Sequence, residues 1–187
     1  MSLLYVALVH APVYNKNMEV ITSSITNLDI HDIARSAATY GAKAYYIVHP
    51  VQAQRDLVGT IMGFWQEGVG AAYNPDRREA FDRVKLAADL TEVEDDIRRD
   101  LSGEMKLYQV ATDARLYPNT IDYGDLRGRL HEGNDAYLLV FGTGSGIVSE
   151  EIQRSDYILK PIYGPGAYNH LSVRSAAAII LDRLCGG

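Results

Sequence analysis

An apolar run, Tyr137-Leu-Leu-Val-Phe141, stops on three alternating glycines, Gly142-Thr-Gly144-Ser-Gly146. Glycine at every second position lets the chain take positive φ and lets another molecule come close to the peptide groups, so a strand ending this way suggests a nucleotide-like ligand. A second loop of the same kind follows. Leu159-Lys-Pro161-Ile162-Tyr-Gly-Pro-Gly leads through Leu171-Ser-Val173 into a helix whose first turns are small residues, Ser175-Ala-Ala-Ala178. Small side chains there allow close backbone packing or leave room for a ligand at the helix start, and two such strand ends can make one pocket.

Other chemistries fit less well. A dinucleotide fingerprint needs G-x-G-x-x-G in the first strand-to-helix turn, whereas here the glycines come late and Ile147 stands where the third would fall. No Gly-Lys-Ser/Thr follows them, which excludes a P-loop. The five histidines are scattered and Cys185 is the only cysteine, so no metal-ligand spacing recurs and no metal is expected.

The elements that must carry these loops are legible as alternating strands and helices. Residues 3–9 form a continuous apolar run of strand length, the pattern of a strand covered on both faces. A polar loop over 10–27 leads to a helix in which Asp29 is the expected N-cap, Ile30, Ile33, Ala34 and Ala37 the buried stripe, and Gly41 the stop. Strands are expected at 44–49, 83–87, 106–112, 136–141 and 156–159. Helices are expected at 51–65, 75–81, 122–130 and 171–184, with an acidic helix opened by a Thr91-Glu94 capping box. Such alternation means an α/β fold with a mainly parallel sheet and helices on both faces.

The chain of 187 residues, 47% hydrophobic, is long enough for one substantial core, and nothing in it marks a linker, so residues 1–187 read as one domain. A single cysteine permits no internal disulfide and suits a reducing compartment. The longest apolar stretches fall far short of the roughly 18 residues of a membrane span. Met1-Ser-Leu-Leu lacks the basic start of a signal peptide, and a cytoplasmic location is expected. The net charge of −6 argues against indiscriminate nucleic-acid binding through a strongly basic surface, while allowing a local basic cleft. Arg77-Arg78 read as solvated helix charges.

Three segments in order, Phe141-Gly-Thr-Gly-Ser-Gly-Ile147, Leu159-Lys-Pro-Ile162 and Leu171-Ser-Val-Arg-Ser-Ala-Ala-Ala-Ile179, resemble the C-terminal motifs of the SPOUT class of RNA methyltransferases. Upstream, Asp29-Ile-His-Asp-Ile-Ala-Arg35 resembles the segment of ribose 2′-O-methylating members in which an Asn precedes a functional Arg. Val110-Ala-Thr112-Asp-Ala-Arg115 resembles their Thr-Ser-Ala-Arg strand end. The likeness spans most of the chain and is closest to a group of small domains that also carry Val13-Tyr-Asn-Lys16.

The resemblance implies a C-terminal trefoil knot, which ordinary connection rules would not suggest, and a homodimer. It implies S-adenosylmethionine held in a bent conformation by Thr112, Gly142, Gly144, Leu159, Pro161, Ile162, Leu171 and Val173. The substrate would be tRNA or rRNA. Arg35 is the expected catalytic, substrate-handling residue, a permanently charged fork suited to a phosphate. Lys16 and Arg115, with the ring of Tyr14, would complete the RNA-facing cleft. His31 and His170 are the histidines nearest that site, and Tyr163 and Tyr168 lie in the cofactor loop. Ribose 2′-O transfer is the expected reaction; guanine N1-type base methylation, a non-catalytic module keeping the fold and a nucleotide-binding regulator are the alternatives. The chain departs from the class in three places: the Asn of the first motif falls on Asp29, the glycine-loop Glu is absent, and the Asn of the last motif falls on Ser172.

Overall fold

The computed structural model describes residues 2–187; Met1, where the expected domain begins, lies outside the described residues. The chain runs through β1 (Leu3–Val9), a hairpin of β2 (Val13–Tyr14) and β3 (Val20–Ile21), α1 (Asn27–Thr39) and β4 (Ala44–Val48). Then come α2 (Gln52–Gln66), α3 (Val69–Tyr73), α4 (Pro75–Phe81), β5 (Val84–Ala87) and α5 (Leu90–Asp100). β6 (Leu107–Ala111), β7 (Thr120–Ile121), α6 (Tyr123–Glu132) and β8 (Ala136–Gly142) follow, and α7 (Ser149–Arg154), β9 (Tyr157–Leu159) and α8 (Val173–Cys185) close the chain.

Seven strands form one sheet in the order β5-β4-β1-β8-β6-β9-β7, and every pairing in it is parallel. The apolar runs are continuous because both faces are covered. Along β1, Leu4, Val6 and Leu8 pack with Ile30, Ile33 and Ala37 of α1 and with α6 and α8. The alternate residues Tyr5, Ala7 and Val9 pack with Leu90, Val93 and Ile97 of α5 and Ile152 of α7. Full burial of each such aliphatic side chain is worth about 1.5–3 kcal/mol over leaving it exposed.

Two expected caps stand elsewhere. Thr26, not Asp29, caps α1: its Oγ1 accepts from the Asp29 amide at 3.2 Å and donates to the Asp29 carboxylate at 2.6 Å. Asp29 is the third helical residue, and its carboxylate takes the Thr26 hydroxyl. The acidic helix opens at Asp89, whose carboxylate takes the Glu92 amide at 2.9 Å while the Glu92 carboxylate returns to the Ala88 amide at 2.6 Å. Thr91 lies within that helix. Gly41 does follow the end of α1 at φ +72°, as its type demands. The hairpin inside 10–27, α3, α7 and β7 span only two to six residues each, too few for periodicity to reveal.

Candidate functional site

A parallel sheet places all its carboxyl ends on one edge. From β1 the sheet extends through β4 and β5 on one side and through β8, β6, β9 and β7 on the other. The crevice beyond β1 and β8 is therefore the switch point at which open α/β sheets receive ligands. His10, Thr112, the glycine loop 142–146 and the loop 160–172 all start from this edge.

What lies against the alternating glycines is the chain itself. A Cβ on Gly142 would sit 2.7 Å from the Ile147 nitrogen, and one on Gly144, at φ +60°, would sit 2.5 Å from the Tyr14 carbonyl oxygen. The β2 segment docks on the loop through Ser145 N–H to Tyr14 C=O at 2.7 Å and Tyr14 N–H to Gly146 C=O at 2.9 Å. The second loop is different. At Gly164 and Gly166 an added Cβ would meet nothing within 4 Å. In the chain that open stretch is flanked by buried Leu159 and Pro161 and half-buried Ile162 on one side and by exposed Leu171 and half-buried Val173 on the other. Asn169 donates from Nδ2 to the Ala114 carbonyl at 3.1 Å, drawing the loop against the end of β6.

The side chains of the β6 end turn inward. Thr112 Oγ1 donates to the Val140 carbonyl at 2.9 Å. Arg115 is clipped to Asp113 by Nε to Oδ1 at 3.0 Å and Nη2 to Oδ2 at 2.6 Å, and its guanidinium lies 5.6 Å from the Tyr14 ring centre. Its charge is thus matched within the chain. Lys16 is exposed in the β2–β3 turn and Arg35 is exposed on α1, so the three expected RNA contacts stand on three separate elements. Asp29 is buried, and Arg174 of α8 reaches its Oδ1 at 3.1 Å and Asp32 at 3.3 Å, joining the starts of α1 and α8. That cation accounts for a carboxylate where the resembling motif has an amide. Ser172 caps α8, its Oγ accepting from the Ser175 amide at 3.2 Å; Ser172→Ala is expected to cost about 1 kcal/mol in urea unfolding.

Sequence reasoning missed His10 and His49, each of which ends an apolar strand, a placement that was itself a signal. Both are buried. His10 Nδ1 is 3.2 Å from Ser23 Oγ, which also lies 2.5 Å from Thr143 Oγ1 in the glycine loop, and His49 Nε2 is 3.1 Å from the Ser23 carbonyl. These bonds tie the loop before α1 to the glycine loop. His31 instead packs edge-on to Trp65 and against Phe81, with ring centres 5.4 and 4.8 Å away, and His170 meets the ring of Tyr168.

Burial drives the His10 pKa down to about 4; the nearby Asp29 charge opposes the drop and His49 adds to it. The folded protein therefore holds His10 neutral, while the unfolded chain takes up a proton near pH 6.5. Between those values the unfolded state binds more protons, so this contribution is complete above pH 6.5 and is lost as pH falls towards 4. About 2 kcal/mol is expected to go between pH 7.5 and 5. Urea unfolding should show that slope flattened in His10→Gln; equal slopes would contradict it.

Two open cavities lie away from these loops. One of about 740 Å³ runs along the outer sheet edge beside Ile121, Gly128 and Tyr157. The other, of about 610 Å³, lies between α2 and the start of α5.

A family model described as SAM-dependent RNA methyltransferase matches residues 3–186. A protein of Aquifex aeolicus (strain VF5) is 46% identical over 180 residues, covering 96% of this chain and 87% of its own length. A tRNA (guanine-N(1)-)-methyltransferase of Nitratidesulfovibrio vulgaris is 45% identical over 183 residues, 98% of this chain, yet the chain spans only 42% of that relative. Among solved structures, a probable methyltransferase from Bordetella pertussis Tohama I aligns with TM-score 0.65 at 15% identity, over 98% of this chain and 92% of the other. The SpoU methyltransferase AviRb from Streptomyces viridochromogenes, in complex with the cofactor AdoMet, aligns with TM-score 0.59 at 16% identity, over 98% and 57%. At these identities the structural likeness speaks for the SPOUT fold.

Proposed function

The chain belongs to the SAM-dependent RNA methyltransferase family, and on that footing we propose that it methylates a ribose 2′-oxygen of tRNA or rRNA. S-adenosylmethionine supplies an electrophilic methyl group on a sulfonium. The observation that carries this is the open stretch at Gly164 and Gly166, flanked in the chain by Ile162, Leu171 and Val173 and drawn against the end of β6 by Asn169. Apolar side chains beside free backbone suit an adenosine-like group. The closed packing at Gly142 and Gly144 holds the first loop against Ile147 and Tyr14.

In-line transfer forms an O–C bond as the S–C bond breaks, and the hydroxyl proton must leave, so holding the acceptor in line supplies much of the rate. The guanidinium of Arg35 offers hydrogen-bond donors and no acceptor. Its role is to grip a phosphate of the RNA rather than to take the proton. The guanine-N1 name belongs to relatives of which this chain spans less than half, so their remaining length can carry that activity. Base methylation stays the second reading on the strength of those names. A C-terminal knot is part of the same reading, supported by β6 lying between β8 and β9 and by the return of loop 160–172 to Ala114. So is a homodimer, supported by the exposure of Leu28 at the start of α1 and of Leu171 beside α8.

Calorimetric titration with S-adenosylmethionine and S-adenosylhomocysteine tests the site. Micromolar binding, about −8 kcal/mol, is expected, weakened at least tenfold in Gly166→Val with stability unchanged. Unchanged affinity in that variant would remove the second loop from the site.

A further inference from the structure

Between β4 and β5 the chain makes a long excursion through α2, α3 and α4 instead of the single helix that a parallel crossover needs. Of the 15 residues of α2, only Val58 is fully buried. Its last turn carries Phe64, half exposed, and Trp65, set edge to face at 5.1 Å. Gly70 of α3 pins both rings from below, for a Cβ there would fall 2.8 Å from Phe64 Cε1 and 2.9 Å from Trp65 Cε3. Arg77 of α4 lies over Trp65, its guanidinium carbon 4.3 Å from the ring centre. His31 joins this platform to α1, and the charges of Arg77 and Arg35 both act on it. Among the described residues neither arginine has a carboxylate within 4 Å.

The geometry points to an RNA-binding platform on α2–α4 that continues the Arg35 site and takes an unpaired nucleotide. This deepens the function proposed above and rests on it. Two uncompensated guanidiniums complement phosphates in a chain that is acidic overall. An exposed Phe64 ring and a guanidinium held over Trp65 are groups on which unstacked bases lie. Duplex RNA hides its base faces, so the platform prefers single strands, loops or bulges. Arg77, which the sequence alone leaves among solvated helix charges, becomes a contact residue because it is held over Trp65, next to the exposed Phe64 ring.

Trp65 is the only tryptophan, so its fluorescence reports on this surface alone. The test titrates a 12-nucleotide mixed-sequence single-stranded RNA and its duplex into the full chain, with fluorescein anisotropy and tryptophan emission read together. Quenching of Trp65 by the single strand is expected. Phe64→Ala should weaken binding about tenfold with the salt slope kept, and Arg77→Gln should lower the slope by about 0.7. Binding weakened in Arg35→Gln but unchanged in both platform variants, with Trp65 emission unmoved, would overturn the platform and leave the proposed function standing. A changed sedimentation coefficient in Phe64→Ala with RNA affinity intact would also overturn it, marking a protein interface instead. Calorimetry with S-adenosylmethionine on the same samples reads the cofactor assignment separately.

Discussion

Gly144→Val is expected to destabilise the protein by about 3–5 kcal/mol, a large part of the 5–15 kcal/mol that holds a typical domain together. Two independent costs add at this position. Its φ of +60° is a left-handed conformation that a β-branched residue rarely adopts, and its Cβ would sit 2.5 Å from the Tyr14 carbonyl oxygen. That oxygen is main chain in a docked strand and already takes the Ser145 amide, so it cannot swing aside. Urea unfolding is the measurement, with Gly166→Val as the companion. The second glycine faces open space at an ordinary φ, and its substitution should change stability by no more than about 0.5 kcal/mol. Equal stability in both variants would mean that the first loop is as open as the second.

Arg35→Ala should reduce methyl transfer to RNA about a hundredfold or more while leaving S-adenosylmethionine affinity and unfolding midpoint where they were. The side chain is exposed and Ile33, Ala34 and Ala37 carry the packing of α1, so truncation removes no core contact. Lost phosphate grip lets the acceptor drift from the line of attack, and misplacement of about 1 Å is enough for that factor. Arg35→Lys keeps the charge without the fork and should recover only part of the rate. A variant that loses cofactor affinity instead would place Arg35 in the cofactor pocket.

Much of the fold was readable because its physics is local. Residues 3–9, 44–48 and 136–141 are apolar without interruption, which is the mark of strands covered on both faces, and Ile30, Ile33, Ala34 and Ala37 show a helical stripe. Sheet order was not legible, because β6 lies between β8 and β9 through contacts far apart in the chain. The cap of α1 was misplaced since Thr26 and Asp29 are both cap-forming types, and only the backbone geometry tells the cap from the third residue. The glycines announced a close approach and suggested a ligand for it, whereas the atom against Gly144 is the Tyr14 carbonyl oxygen, about 130 residues away in the chain. The surroundings of His10 form only on folding: Ser23 bonds it, Thr143 bonds Ser23, and the Asp29 charge lies near.

The most direct measurement is transfer of a labelled methyl group from S-adenosylmethionine to unmodified tRNA and rRNA, followed by digestion to nucleosides and mass spectrometry. A 2′-O-methylated nucleoside, formed by the wild-type chain and lost in Arg35→Ala, is the predicted result. N1-methylguanosine would contradict the ribose assignment, and absence of any methylated nucleoside from a chain that binds the cofactor would contradict the account as a whole.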